Sequence, residues 1–166
     1  MHTIRLRGPW QCQPLARTRR RADGASQTLS GTLPPPSRVT VPSDWTDYPG
    51  ADFRGRVCYI RNFGRPTGIG PGDRIELVIE RIDAFGAAYL NDRLLGTISQ
   101  GELGLRADVT DRLGPRNRLA VEVELPECTE ASAPLPRGDR EARPGGLIGE
   151  VRLEISTAWA DDPAAL

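Results

Sequence analysis

The 166-residue chain has one histidine, no lysine and three cysteines, and aromatic residues make up only 5% of it. Each scarcity closes off a chemistry. With His2 alone, close to the N-terminus, neither a Ser-His-Asp nor a Cys-His arrangement of the ordinary kind can be assembled, and a His-rich metal site is excluded. Cys12, Cys58 and Cys128 are far apart and odd in number, without metal-ligand spacing. They read as small core residues of a reducing cytoplasm. No hydrophobic run approaches the roughly 20 residues of a membrane helix, and "MHTIRLRGPW" lacks the apolar centre of a signal peptide. Arginines and carboxylates number 22 each, so no net field draws the chain to nucleic acid or to an anionic membrane. The glycine-rich "GIGPG", Gly68–Gly72, lacks the Lys-Ser/Thr of a phosphate loop and reads as a turn. These features predict no catalytic residue, no metal and no cofactor.

Breakers, by contrast, are plentiful. Eighteen glycines and 15 prolines cut the chain into short pieces, which predicts an all-β antiparallel sandwich. Strands are expected over 56–63, 74–80, 82–90, 117–125 and 147–156, with Leu119, Val121, Val123 and Leu125 inward on the fourth. "YLNDRLL", Tyr89–Leu95, reads as a hairpin whose Asn91-Asp92 corner takes positive φ, with Gly96 allowing a bend or a close approach. "RTRRRADGAS", Arg17–Ser26, reads as a solvated basic loop, and a one-turn helix is expected after Asp108 or Thr110. Trp10 and Tyr59 fall in strand patterns and read as core, and Trp45 as a packing plug. Asp83 enters an apolar strand, so it needs an arginine or backbone donors, with Arg81 on the other face. One domain is expected over 1–157, followed by a tail over 158–166.

The ordered set "VPSDW", "GRVCY", "RIDAFGAAYLND", "ADVTD", "NRLAVEV" and "PGGLIGEVRLEI", spread over residues 3–157, resembles the sugar-binding domain that opens glycoside hydrolase family 2 enzymes, the β-galactosidases, β-glucuronidases and β-mannosidases. The resemblance implies a galactose-binding-domain-like jelly roll, with Asn91-Asp92 standing where the family has Asn-Gly. In that family the catalytic glutamates lie on a separate barrel. Here Glu76, Glu80, Glu122, Glu124 and Glu154 alternate outward and read as a solvated sheet face.

Sugar sites pair an aromatic platform with planar polar groups. Tyr48, in the "PSDWTDYPG" corner, is the freer aromatic. The resemblance also implies that the loop Pro126–Gly146 carries a sugar-contacting aspartate six residues before Gly146. Arg140 occupies that position, beside Asp139, with Glu141 and the basic Arg143 following and no aromatic near Ala142. The expected ligand-binding residues are therefore Tyr48, Asp139, Arg140, Glu141 and Arg143. An arginine in place of an acceptor suits carboxylates, so an acidic sugar is as plausible a ligand as galactose. Two readings follow: a non-catalytic carbohydrate-binding module, or a jelly-roll interaction domain that has lost sugar binding and partners a glycoside hydrolase subunit.

Overall fold

The computed structural model describes residues 1–99, 102–135 and 143–157. The chain is an antiparallel β-sandwich in which helix accounts for 3%. The first sheet has four strands in the order β1 (His2–Arg5), β14 (Val151–Thr157), β7 (Asp73–Ile79) and β11 (Leu105–Asp108). The second has the order β10 (Arg93–Ile98), β9 (Phe85–Leu90), β12 (Arg116–Leu125), β6 (Gly55–Gly64), β2 (Trp10–Arg20) and β3 (Ser26–Leu29), with β4 (Ser37–Val39) also pairing β2. A third, small sheet joins β5 (Ser43–Asp44), β13 (Gly146–Leu147) and β8 (Ile82–Asp83). Between β5 and β6 lies one irregular helical turn, Thr46–Gly50, broken by the extended backbone of Tyr48. Among the described residues, no helix is long and apolar enough to cross a membrane.

The core follows the period-2 pattern. Val57 and Tyr59 of β6, Ile75, Leu77 and Ile79 of β7, and Leu119, Val121, Val123 and Leu125 of β12 are all buried between the sheets. Trp10 and Trp45 are fully buried, and each indole finds an acceptor: Leu6 O for Trp10 (2.7 Å) and the Tyr59 hydroxyl for Trp45 (2.9 Å). The hairpin corner takes φ of 51° at Asn91 and 66° at Asp92. Asn91 also ties the corner to β12, because its Oδ1 accepts from the Arg118 amide (2.9 Å) and its Nδ2 donates to Asn117 Oδ1 (3.0 Å). A register shift falls between Leu94 and Gly96, and a β-carbon at Gly96 would lie 2.8 Å from Leu105 Cδ1. That glycine serves both the bend and the close approach.

Four expectations need correction. Arg17–Arg20 is not loop but the second half of β2, paired with Gln27–Leu29 and Ser26. Pro14, the residue that disguises this strand, sits at a register shift against β6, in the gap between the β4 and β3 pairings, where no ladder amide is required. The one-turn helix after Asp108 is a β-turn instead, closed by Arg112 N donating to Val109 O, with Asp108 accepting from both the amide and the hydroxyl of Thr110. The expected strands 82–90 and 147–156 each break in two. Their first halves, β8 and β13, leave the main sheets to pair with each other, and both the Ile148 and Gly149 amides donate to Arg81 O at the crossing. Arg81 does not turn to the other face, as its guanidinium lies 3.8 Å from Asp83 Oδ2. The expected tail, 158–166, lies outside the described residues.

The outer face of the four-stranded sheet is a closed charge network. Arg5 pairs Glu150 (2.8 Å), Arg152 pairs Glu154 (2.9 Å) and Glu80 (2.5 Å), Arg106 bridges Glu154 (2.6 Å) and Glu76 (2.9 Å), and Arg74 pairs Asp108 (3.1 Å). Hydrogen bonds from Arg106 and then Arg152 hold the Glu154 carboxyl below its usual range, and the Thr110 hydroxyl and amide do the same for Asp108. These carboxyls bind protons less readily folded than unfolded. Their stabilisation is therefore complete above their unfolded values, near pH 4, and is lost as pH falls through the depressed folded ones. Thermal melts should be flat from about pH 7 to 5 and fall steeply below about pH 4. Arg106→Ala should lower the plateau and make the acid limb shallower.

Cys12 is fully buried, and burial pushes its thiol up to about 12. In thiol titrations of the native protein Cys12 should stay unmodified and should react only after unfolding. Modification of Cys12 at the rate of an exposed thiol would contradict this placement.

Candidate binding site

The site is built from the two arms of the loop Pro126–Gly146 and from the corner they close on. The first arm is fastened to β2. Glu127 N donates to Thr18 O (2.8 Å), Arg20 N to Glu127 O (2.8 Å) and Ala133 N to Arg21 O (2.9 Å). Arg20, only 7% exposed, donates its guanidinium to the carbonyls of Gly24 (3.0 Å), Ala133 (3.2 Å) and Pro134 (3.2 Å) and lies 4.9 Å above the Phe85 ring. Carbonyl dipoles and an aromatic face thus take the place of a counter-ion. The run read as solvated is the clasp of the loop.

The second arm returns at Arg143. Arg54 Nη2 donates to Arg143 O (3.2 Å), and the Trp45 amide donates to Gly145 O (2.9 Å). Gly146 then lies between Asp44 on one side and Asp83 on the other. Gly145 has no room for a side chain, since a β-carbon there would meet the Trp45 ring at 2.8 Å and Asp83 O at 2.9 Å. Asp83 is 6% exposed, and the arginine beside it, 3.8 Å away, is Arg81, which was expected on the other face.

On the corner, a cleft of about 390 Å³ is lined by Tyr48, Asp47, Asp44, Ser43, Thr40 and Arg38, among others. Tyr48 is half-buried against the core, and its hydroxyl donates to Pro35 O. Burial, followed by the nearby Cys12, pushes its phenol up, so it stays a neutral ring at physiological pH. Asp44 Oδ1 accepts from the Thr46 amide (2.9 Å), and the hydroxyl and amide of Thr46 hold the carboxyl below its usual range. Asp44 and Asp47 are exposed, as is Arg38 on the edge strand β4. The cleft therefore offers a ring face, fixed acceptors, hydroxyls and a guanidinium. These groups suit vicinal hydroxyls.

Of the expected site residues, Tyr48 lines this cleft and Arg143 stands exposed where the loop returns to the same corner. Asp139, Arg140 and Glu141 lie outside the described residues. Arg38, Asp44 and Asp47 were not anticipated as site residues. The signal was present for two of them: in Ser-Arg-Val, the inward Val39 sends Arg38 outward, and Asp44-x-Thr46 is an Asx turn.

The fold is similar to that of β-sandwich regions found within larger glycosidases. The chain is similar to the FMN-binding β-glucuronidase of Faecalibacterium prausnitzii L2-6, at 25% identity and TM-score 0.64, over 93% of this chain and 22% of that one. It is also similar to Bifidobacterium dentium β-glucuronidase complexed with coumarin-3-O-glucuronide, at 24% identity and TM-score 0.66, over 94% of this chain and 30% of that one. A putative β-galactosidase from Bacteroides fragilis matches at 19% identity and TM-score 0.64, over 94% of this chain and 23% of its own. The chain thus spans less than a third of the length of these glycosidases. No protein-family profile matches it, and no curated protein matches it in sequence.

The close packing at Gly145 gives a stability test. Gly145→Ala should cost about 1–3 kcal/mol in denaturant melts, because it overpacks Trp45 against backbone. Arg143→Ala, whose carbonyl is the bonded group, should stay within about 0.5 kcal/mol. Asp83→Ala should cost about 1–3 kcal/mol as a buried, paired acid is removed. Equal melts for Gly145→Ala and the parent would refute the close approach.

Proposed function

We propose that this chain is a non-catalytic carbohydrate-binding module of the kind that opens family 2 glycoside hydrolases, with a galactose-binding-domain-like jelly roll. One observation carries the reading. The half-buried ring of Tyr48, the carboxylates Asp44 and Asp47, two hydroxyl side chains and Arg38 line one cleft on the corner where the long loop returns. The likeness to part of several β-glucuronidases supports it, as does the ordered set of motifs. In this reading Asp139, Arg140, Glu141 and Arg143 approach the ligand from the loop, with Tyr48 and its neighbours opposite. On this reading the chain has no catalytic role on its own, since it spans less than a third of the similar glycosidase chains and the groups of the cleft serve as acceptors and donors for hydroxyls.

A second reading has one observation behind it. The matched region makes up 22–30% of the similar glycosidase chains, which fits an interaction domain that partners a glycoside hydrolase subunit. The two readings part on ligand binding.

Amide NMR of the full chain titrated with galactose, galacturonate and glucuronate is the test. Binding to a single such cleft should be weak, from millimolar to micromolar, or about 4–8 kcal/mol. At least one sugar should shift resonances of Ser43–Gly50 and Arg143–Gly145. Tyr48→Ala and Asp47→Asn should weaken that response, as should Arg140→Ala and Arg143→Ala if the loop contributes. Uronates acting where galactose does not would assign the arginines to an acidic sugar. Silence at this corner for every sugar would end the carbohydrate reading and leave the interaction domain.

A further inference from the structure

The corner cleft has neighbours. A cleft of about 610 Å³ shares Pro9 and Arg38 with it, and a third of about 620 Å³ shares Asn62 with the second. Strand register sets them in a row. Arg38 of β4 faces Gln11 of β2, Gln11 faces Ile60 of β6, and Asn62 faces Arg118 of β12. The three depressions therefore cross four successive strands toward one end of the seven-stranded sheet. Each is of the size of a small-ligand site, about 300–1,000 Å³.

The arginines along this row differ from those elsewhere. On the four-stranded sheet Arg5, Arg74, Arg106 and Arg152 are all spent on carboxylates. Arg38, Arg61 and Arg116 line the row and have no carboxylate partner among the described residues. Arg61 donates one Nη to Asn62 O, while its Nε is buried without any hydrogen-bond partner among them. Register sets Arg61 opposite the buried Leu119, on the core side of β6, so the guanidinium groups open to the row are those of Arg38, Arg116 and Arg118. Arg118 pairs only with the 89% exposed Asp92 at 3.5 Å, a contact that a ligand can exchange. Tyr48 stands at one end of the row.

We propose that the three clefts act as one groove for an acidic oligosaccharide, whose uronate carboxylates lie on Arg38, Arg116 and Arg118 while a sugar face rests on Tyr48. This rests on the carbohydrate reading and extends it from one sugar at the corner to a chain of them. Linked subsites make affinity grow with length, and guanidinium–carboxylate contacts make it fall as salt is raised.

The full chain is titrated with hexagalacturonate, galacturonate and neutral cellohexaose, by calorimetry and amide NMR. Arg38→Ala and Arg116→Ala are measured beside the parent, with thermal melts to show that both stay folded. Hexagalacturonate should bind at least about tenfold more tightly than the monomer and should shift Gln11, Arg38, Asn62 and Arg116. Arg116→Ala should weaken the hexamer several-fold and leave monomer binding at the Ser43–Tyr48 corner unchanged, whereas Arg38→Ala, at a position common to the corner cleft and the groove, should weaken both. Shifts confined to that corner, with no gain from length, would overturn the groove and leave the single-sugar reading standing. Cellohexaose binding as tightly as hexagalacturonate would overturn the acidic preference. No response to any sugar at any residue would overturn both.

Discussion

The site end of this sandwich depends on one close approach, that of the Trp45 indole to the bare backbone of Gly145. Trp45 is fixed from three sides: its ring nitrogen bonds the Tyr59 hydroxyl, Phe53 meets it edge-on at 5.5 Å, and its amide bonds Gly145 O. With that contact made, Gly146 enters the third sheet with Asp44 and Asp83 as its two neighbours. Three sequence pieces far apart in the chain, "VPSDW", "GRVCY" and "PGG", are thus parts of one packing unit. Move the glycine and both the corner and the loop arm lose their reference point.

Arginine serves four purposes here, and its surroundings decide which. Beside carboxylates, as in Arg106 and Arg152, it closes a charge network that no ligand needs to enter. Among carbonyls, as in Arg20 and Arg54, it fastens chain to chain without an acid. Over a ring, as Arg17 lies 5.2 Å from the Phe53 centroid, it covers apolar surface. Along the row of clefts, as in Arg38 and Arg116, it stands exposed without a carboxylate partner among the described residues. Formal neutrality of the whole chain conceals this division, because the pairing is local.

What the sequence made legible was local. Alternation on β6, β7 and β12 reports which face each residue takes, and Asn91-Asp92 reports its own backbone geometry. The strand status of Arg17–Arg20 was hidden because the groups that satisfy Arg20 lie more than a hundred residues away, at Ala133 and Pro134. The breaks within 82–90 and 147–156 were hidden for a similar reason. No proline marks either break, and only the presence of a third sheet decides where each segment changes partners. At the site, the corner with Tyr48 was legible as a proline- and aspartate-rich turn. The joint lining by Arg38, Asp44 and Asp47 depends on β4 and β5 meeting there, which no spacing encodes.

The clasp made by Arg20 separates the two arms of the long loop. Among the described residues, one arm takes its hydrogen bonds from β2 and the turn after it, and the other from Trp45, Arg54, β5 and β8. The frame thus holds two separate ends, at Leu135 and at Arg143, and a loop anchored in this way tolerates changes between its ends without loss of register at either.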